Sequence, residues 1–251
     1  MSDEKNMTFW EHLDELRGVL FRVLAVVAVT TGVAFACKEL LFDVVLAPSS
    51  SDFITYRLLG TEPFHIRLIN TQLTEQFMVH LRMAAYMGCL AASPFILYQL
   101  FCFISPALYR HERKYTVIII GAAYLMFIVG TLVNYFMVFP LTVRFLGTYQ
   151  VSEEVANMLT LDSYADTLAM MCLLIGVIFE LPVVAALLAK WGLITKGVMK
   201  RYRRHAVVVI LFVAALITPT ADLFTMLIVA LPIWLLYEGA IAIVAFIQKQ
   251  D

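Results

Sequence analysis

Charged residues are scarce in this sequence. They make up 15% of its 251 residues, against about 25% in an average soluble domain. This scarcity argues against a soluble globular enzyme. The 18 basic and 19 acidic residues nearly cancel, which argues against nucleic-acid binding, because that function needs a basic surface. The 62% of hydrophobic residues and the mean hydropathy of +0.86 indicate a polytopic membrane protein.

Enzyme and cofactor motifs are missing as well. The sequence has no P-loop, no G-x-S-x-G and no His pair at metal-binding spacing, and its four Cys form no C-x-x-C. His111-Glu112 begins the zinc-protease pattern H-E-x-x-H, but Tyr115 stands where the second His should be. We therefore expect no enzyme, no cofactor and no metal, and we interpret the cysteines as small buried hydrophobes.

Long apolar runs predict membrane-spanning helices, since about 20 apolar residues cross the hydrocarbon core. Strand-like alternation is absent, so the predicted fold class is all-α, a polytopic integral membrane protein with six transmembrane helices in one domain, 1–251. The spans are predicted at about residues 18–37, 79–104, 115–139, 164–189, 205–219 and 223–247. We expect Pro140 to end the third span and Pro182 to kink the fourth, because proline lacks a backbone N–H.

Basic residues near the span ends predict the orientation. With six spans, both termini and two loops share one side, which carries 13 Lys and Arg residues against four or five on the other. We therefore predict that both termini are cytoplasmic. The acidic head, with Asp3 and Glu4, is unlike a cleaved signal, so the first span is expected to be retained. Outside, residues 38–76 are expected to hold a short helix and residues 141–162 an amphipathic cap.

Two carboxylates on the predicted inner side stand among basic or interfacial residues. Glu15 belongs to an amphipathic helix that runs into the first span, with Thr8 and Glu11 fitting a capping box. Glu112 lies in the first inner loop, surrounded by Arg and Lys. Each has an ordinary interpretation, a solvated acidic face for Glu15 and charge compensation for Glu112. The alternative is that both bind an incoming cationic ligand.

Three further acids are singled out by position. Glu180 lies inside the fourth span, where a charged side chain is costly and usually faces protein or a water-filled cavity. It therefore indicates either a polar pocket or a buried acid with a structural role. Asp222 follows a tight turn and fits a helix N-cap. Glu238 lies in the last span and either simply marks its cytoplasmic edge or indicates that the last two spans are short. Such short spans require a thinner bilayer or burial against other helices.

The order and spacing of these motifs resemble the TatC family, the polytopic subunit of the twin-arginine protein translocase. The matching motifs, in order, are His12-Leu13-x-Glu15-Leu16-Arg17, Ala47-Pro48, Pro94-x-x-x-Tyr98-Gln99, Phe103-Ile104-Ser105-Pro106-Ala107-Leu108-Tyr109-x-x-Glu112-Arg113, Tyr135-Phe136 with Phe139-Pro140, Phe179-Glu180-Leu181-Pro182, Thr218-Pro219 with Asp222, and Pro232 with Tyr237-Glu238. One departure is the Thr220-Ala221 pair, where many members have a single residue before the Asp.

The resemblance implies a cupped six-helix fold in the bacterial inner membrane that binds twin-arginine signal peptides of folded cargo at its cytoplasmic face. By analogy, the residues that contact the signal peptide are Glu15, Glu112, Arg17, Gln99 and Phe103, and Glu180 lines the concave face. Residues assigned to partner contact or structure are Pro48, Tyr135, Asp222 and Glu238. The implied partners are single-span TatA- or TatB-type subunits around the last two spans in an oligomeric complex, with transport driven by the proton-motive force.

The chemistry of arginine gives this interpretation a physical reason. Carboxylates accept bidentate, charge-assisted hydrogen bonds from guanidinium, and lysine cannot reproduce that geometry. A second hypothesis is a proton-linked small-solute transporter that uses Glu180. The absence of an internal repeat weakens it, since many such folds are built from repeated halves. An intramembrane enzyme is a third and weaker hypothesis, because no nucleophile or metal motif supports it.

Overall fold

The computed structural model describes residues 9–60, 64, 66–104, 113–149, 158–218 and 222–249. These ranges are almost wholly helical, which confirms the predicted all-α class. The α-helices within them are α1 (Phe9–Ala36), α2 (Lys38–Leu46), α3 (Ile54–Leu58), α4 (Glu75–Ile104), α5 (Arg113–Val133), α6 (Phe139–Thr148), α7 (Leu161–Ile178), α8 (Leu181–Lys190), α9 (Lys196–Arg201), α10 (Arg203–Ile217) and α11 (Leu223–Ile247). Two short strands, β1 (Leu68–Ile69) and β2 (Leu159–Thr160), pair in parallel.

Five segments of the described chain are long and apolar enough to cross a membrane. They are Leu13–Ala36, Glu75–Leu100, Ile118–Thr148, Leu161–Lys190 and Leu223–Ile247. The predicted fifth span corresponds to α10, which has 15 residues and is therefore about 22 Å long. That length is less than the ~30 Å of a hydrocarbon core, so α10 does not by itself qualify as a span.

Helices α1 and α4 form an antiparallel pair. The Thr30 hydroxyl donates to the carbonyl of Gly88 at 2.9 Å, and the Phe35 ring stacks on the His80 ring with centroids 4.1 Å apart. Residue numbers thus rise along α1 as they fall along α4. The helices approach closely because residue 88 has no side chain, as small residues allow at membrane helix interfaces.

Helix α5 and the residues that follow it pack against α7 in the same antiparallel way. Asn134 Nδ2 donates to Cys172 Sγ at 3.1 Å, and the Phe139 and Tyr164 rings meet edge to face. At the closest approach, a Cβ on Gly130 would lie 2.6 Å from the Phe179 ring. Buried residues of α7 continue from here into one core shared with α2, α4, α10 and α11.

The prediction that Pro140 ends the third span is wrong. A π-helical turn, Asn134–Val138, precedes it, and the helix continues through α6 to Thr148. Pro140 cannot donate to the carbonyl four residues earlier, that of Phe136, but this carbonyl accepts a hydrogen bond from the Thr55 hydroxyl instead. Residues 141–148 of the predicted amphipathic cap therefore belong to this helix, and residues 150–157 lie outside the described part.

A kink was predicted at Pro182, and the structure has a break between two helices there. Helix α7 ends at Ile178 and α8 begins at Leu181, with Glu180 between them. Pro182 occupies the first turn of α8, where the backbone N–H groups have no partner within the helix and the missing one costs little. The fourth span is thus two helical pieces joined at a carboxylate.

The segment after α1 holds two short helices, α2 and α3, where one was expected, and tyrosines attach it to the third and fourth spans. The Tyr56 side chain is 1% exposed, and its hydroxyl lies 2.9 Å from the carbonyl oxygens of both Pro48 and Pro140. Tyr135 and Tyr164 donate to carbonyls of α2 at 2.7 and 3.0 Å. Burial raises the pKa of Tyr56, so the hydroxyl remains a donor. Pro48 and Tyr135 thus have structural contacts here.

We expect Tyr56→Phe to destabilise the protein by about 1–2 kcal/mol, because two carbonyls would lose a buried hydroxyl donor. Thermal unfolding in detergent measures this change. Tyr202→Phe is the matched control, since Tyr202 is 53% exposed and should unfold at the wild-type temperature. Equal unfolding temperatures for the two variants would contradict the assigned role of Tyr56.

Candidate functional site

One end of the molecule carries the beginning of α1 and the end of α4, and we call it the N-face. The antiparallel α1–α4 pair brings these two helix ends together. The beginning of α5 follows, and one apolar cavity is lined by Ile118 of α5, Lys190 of α8 and Ile247 of α11. The ends of α8 and α11 therefore also lie at the N-face.

Glu15 and Phe103 lie at the same level of this face. Fifteen residues separate Glu15 from Thr30 in α1, and fifteen separate Gly88 from Phe103 in α4. At about 1.5 Å per residue, both helices advance by the same distance from the Thr30–Gly88 hydrogen bond. Gln99, one turn deeper in α4, is buried. The helix pair therefore brings three of the predicted signal-peptide residues to one end.

The Glu15 side chain lies on the face of α1 that turns toward α4. Val19, one turn further along, is 6% exposed, whereas the neighbouring Asp14 and Leu16 are exposed. Glu15 itself is half-buried, and its Oε2 atom is buried with no hydrogen-bond partner among the described residues. A carboxylate oxygen in this setting favours a cationic donor, because leaving it unpaired is costly.

Arg17 lies on a different side of α1. It is two residues from Glu15, which is about 200° around a helix, and its guanidinium lies over the Phe21 ring, 5.7 Å from the centroid. The structure therefore does not bring Arg17 together with Glu15. Glu112 lies outside the described residues, as does Thr8 of the predicted capping box, and both remain predictions.

Glu180 is separate from the N-face. Ten residues of α8 lie between it and the N-face, a depth of about 15 Å. Its Oε1 atom is buried without a hydrogen-bond partner in the described chain. Glu180 and Glu15 thus form two distinct carboxylate positions.

The remaining predicted acids make contacts within the chain. Asp222 caps α11, accepting from the backbone N–H of Thr225 at 2.8 Å, which confirms the predicted N-cap. Glu238 of α11 forms an ion pair with Arg203 at the start of α10, 2.5 Å from N to O. These contacts fix α11 at its beginning and against α10.

A polar cluster at the opposite face escaped the sequence analysis. Arg82 of α4 forms ion pairs with both Asp162 and Asp166 of α7. Glu75, only 4% exposed, accepts from the backbone N–H of Asp162. The four-residue spacing of the two aspartates on one helix face was the available signal. This signal is weak, because the sequence does not show which helix packs against that face of α7.

Comparison with known proteins agrees with the family resemblance of the sequence motifs. The family model "Sec-independent protein translocase protein (TatC)" matches residues 11–232. The chain is 33% identical over 247 residues to the protein of that name from Koribacter versatilis, covering 98% of this chain and 88% of that one. It is also 33% identical over 267 residues to the one from Blattabacterium sp. subsp. Periplaneta americana, covering both chains fully.

A solved structure has the same fold. The crystal structure of "Twin Arginine Translocase Receptor- TatC" superposes with a TM-score of 0.79 at 30% identity, covering 95% of this chain and 100% of that one. The sequence motifs, the helical architecture and these similarities lead to one conclusion. The chain belongs to the TatC family of Sec-independent protein translocase components.

Proposed function

We propose that this chain is the receptor subunit of a twin-arginine translocase and that it binds twin-arginine signal peptides at the N-face. The observation that carries the proposal is the half-buried Glu15 carboxylate, whose Oε2 has no described partner, at the level of Phe103. The segment 105–112, which ends in Glu112, begins directly after α4. A second carboxylate on that segment would allow each of two arginines to have its own partner.

The proposed recognition depends on guanidinium geometry. A half-buried carboxylate gains most from a ligand that makes two parallel N–H···O bonds, as Arg does. A lysine ammonium makes a compact point contact and is more strongly hydrated, so it loses more when it leaves water. Gln99 and Phe103 would flank the arginines with an amide and an aromatic ring, and aromatic faces stack well with guanidinium.

We place the N-face in the cytoplasm. Basic residues gather at this end, including Lys190 at the end of α8, Lys196 and Lys200 in α9, and Lys249 after α11. Such enrichment is typical of cytoplasmic helix ends. In this orientation α10 makes the fifth of six crossings, with a locally thinned bilayer matching its short length, and both termini are cytoplasmic in the bacterial inner membrane.

The proposed partners follow from the family. Single-span TatA- or TatB-type subunits would pack around α10 and α11 in an oligomeric complex, and the proton-motive force would drive export of folded proteins. The six helices would form a cup whose concave face includes Glu180. Its buried Oε1, unpaired within the described chain, supports a contact that changes when a signal peptide or partner helix offers a polar group.

Photo-crosslinking tests the receptor function. A crosslinker next to the arginine pair of a signal peptide is added to membranes that contain the chain. We expect adducts at α1 and α4 near residues 15 and 103, and about tenfold fewer with a twin-lysine peptide, because each Arg contributes charge-assisted hydrogen bonds. A crosslinker in the mature part of the cargo is the control. Equal yields for the two peptides would rule out this recognition.

The transporter hypothesis keeps one supporting observation, the Glu180 Oε1 atom in mid-span that has no partner among the described residues. Intramembrane acids frequently mark ion or proton pathways. Glu180→Gln distinguishes the two functions. Loss of proton-linked flux of a small solute in vesicles, with twin-arginine binding retained, would favour the transporter. Unchanged flux favours the receptor.

A further inference from the structure

A basic cavity lies at the N-face between α9, the start of α10 and the end of α11. Its volume is about 450 Å³, and its polar lining consists of four basic side chains and one carboxylate, namely Lys196, Lys200, Arg203, Lys249 and Glu238. This lining has a net formal charge of +3 from four cations and one anion. An anion of matching size is therefore the favoured ligand.

Within the described residues the carboxylate pairs with Arg203 rather than with a lysine, and its Oε1 atom is buried without a hydrogen-bond partner. Glu238 Oε2 binds Arg203 at 2.5 Å. No carboxylate of the described chain lies within 4.0 Å of the ammonium groups of Lys196, Lys200 or Lys249, since the ion pairs found there involve other residues. Three lysines thus line one cavity, and none of their ammonium groups has an ion-pair partner in the described part of the chain.

Hydrogen bonds hold the walls of the cavity in place. The Lys196 backbone N–H donates to Gln248 Oε1 at 3.1 Å, and the Tyr237 hydroxyl donates to the Met199 carbonyl at 2.8 Å. Met199 is buried in a small core with α8 and α11. These contacts fix α9 against α11, so the backbone of Lys196 and Lys200 has a defined position beside the cavity.

The apolar side of the cavity continues along a membrane helix. Ala242, Ala245 and Phe246 of α11 line it, and Phe246 is 64% exposed. Helix α11 is one of the candidate spans and ends at Ile247, so the cavity lies where hydrocarbon meets water. A ligand with an anionic head and an apolar tail would satisfy both sides at once.

We propose that this cavity binds the headgroup phosphate of an anionic phospholipid, with an acyl chain lying against α11. Basic pockets between membrane helices suit such headgroups. Phosphate oxygens accept several ammonium donors together, and Arg203 offers a further N–H group while retaining Glu238. The site is distinct from the proposed signal-peptide site at Glu15 and does not depend on it.

Native mass spectrometry of the purified full chain tests the proposal. The chain is titrated with phosphatidylglycerol, with zwitterionic phosphatidylcholine, and with inorganic phosphate alone. We compare Lys200→Gln/Lys249→Gln with Arg201→Gln/Arg204→Gln. Both pairs remove two positive charges from neighbouring positions, but Arg201 and Arg204 are exposed and do not line the cavity.

We expect the cavity variant to bind phosphatidylglycerol about thirtyfold more weakly, because each lysine of the cavity would lose a charge-assisted hydrogen bond to the phosphate. The control variant should change less than about threefold, and phosphatidylcholine should bind weakly to every form. Equal losses in the two variants would overturn the proposal in favour of diffuse surface charge. Inorganic phosphate that binds as tightly as the lipid would overturn it in favour of a soluble anion. Matching thermal unfolding of both variants establishes that they are folded.

Discussion

Replacing Glu15 with glutamine is expected to weaken the binding of a twin-arginine signal peptide about thirtyfold, or by roughly 2 kcal/mol. The side chain keeps its size but loses the charge that would pair with guanidinium. Because Oε2 is buried without a described partner, water solvates the free carboxylate poorly and the peptide arginine gains more. Fluorescence anisotropy of a labelled signal peptide with the detergent-solubilised chain measures the affinity.

Two comparisons make this result specific. Asp14→Asn removes the same charge from the adjacent, exposed position, and it should change the affinity by less than about threefold because surface charges interact weakly through water. A twin-lysine peptide should bind Glu15→Gln and the wild type almost equally. If Asp14→Asn weakened binding as much as Glu15→Gln, the N-face would act by overall charge, and Glu15 would have no special role.

Gly88→Val is expected to separate α1 from α4 and to destabilise the protein by about 3 kcal/mol, near the upper end for overpacked interfaces. A Cβ at residue 88 would lie 2.7 Å from the backbone nitrogen of Thr31. Backbone cannot rotate away as a flexible side chain can, so the helix itself must move. The Thr30 hydrogen bond to the Gly88 carbonyl would lengthen or break.

Thermal unfolding and a distance measurement report the two consequences. Spin labels at the exposed positions Leu16 and Leu100 should show a longer and broader distance distribution in Gly88→Val. Gly32→Val is the matched control, because Gly32 is also inside a helix of this pair and a Cβ added to it would meet no atom of the described residues within 4 Å. Equal distance distributions in the two variants would show that the close approach at Gly88 does not set the spacing between α1 and α4.

Local chemistry made part of this structure predictable. Pro182 interrupts the fourth span because any helix loses a hydrogen bond there, and Asp222 caps α11 because its side chain reaches the next free N–H groups. Each effect involves residues within a few positions of each other. The apolar runs were found for a similar reason, since hydrocarbon thickness fixes span length without reference to the rest of the fold.

Contacts between distant residues were not predictable. Pro140 was expected to end its helix, but the helix continues. The Phe136 carbonyl, which cannot bond to Pro140, accepts a hydrogen bond from the Thr55 hydroxyl, 81 residues earlier in the chain. Arg82 and its aspartates are about as far apart in the chain. For Glu15, the amphipathic pattern was compatible with a binding site but favoured a solvated acidic face. The register with α4 brings it level with Phe103 and favours the binding site.

The pairing of α1 with α4 also has a consequence for the order in which the helices can assemble during synthesis. Among the described elements, α1 packs chiefly on α4, with α2 as a lesser neighbour. Both helices are available once residue 104 leaves the ribosome, so this hairpin can assemble before the later helices have emerged. Glu15, Gln99 and Phe103 can therefore come together early in biogenesis, before the later helices pack against them.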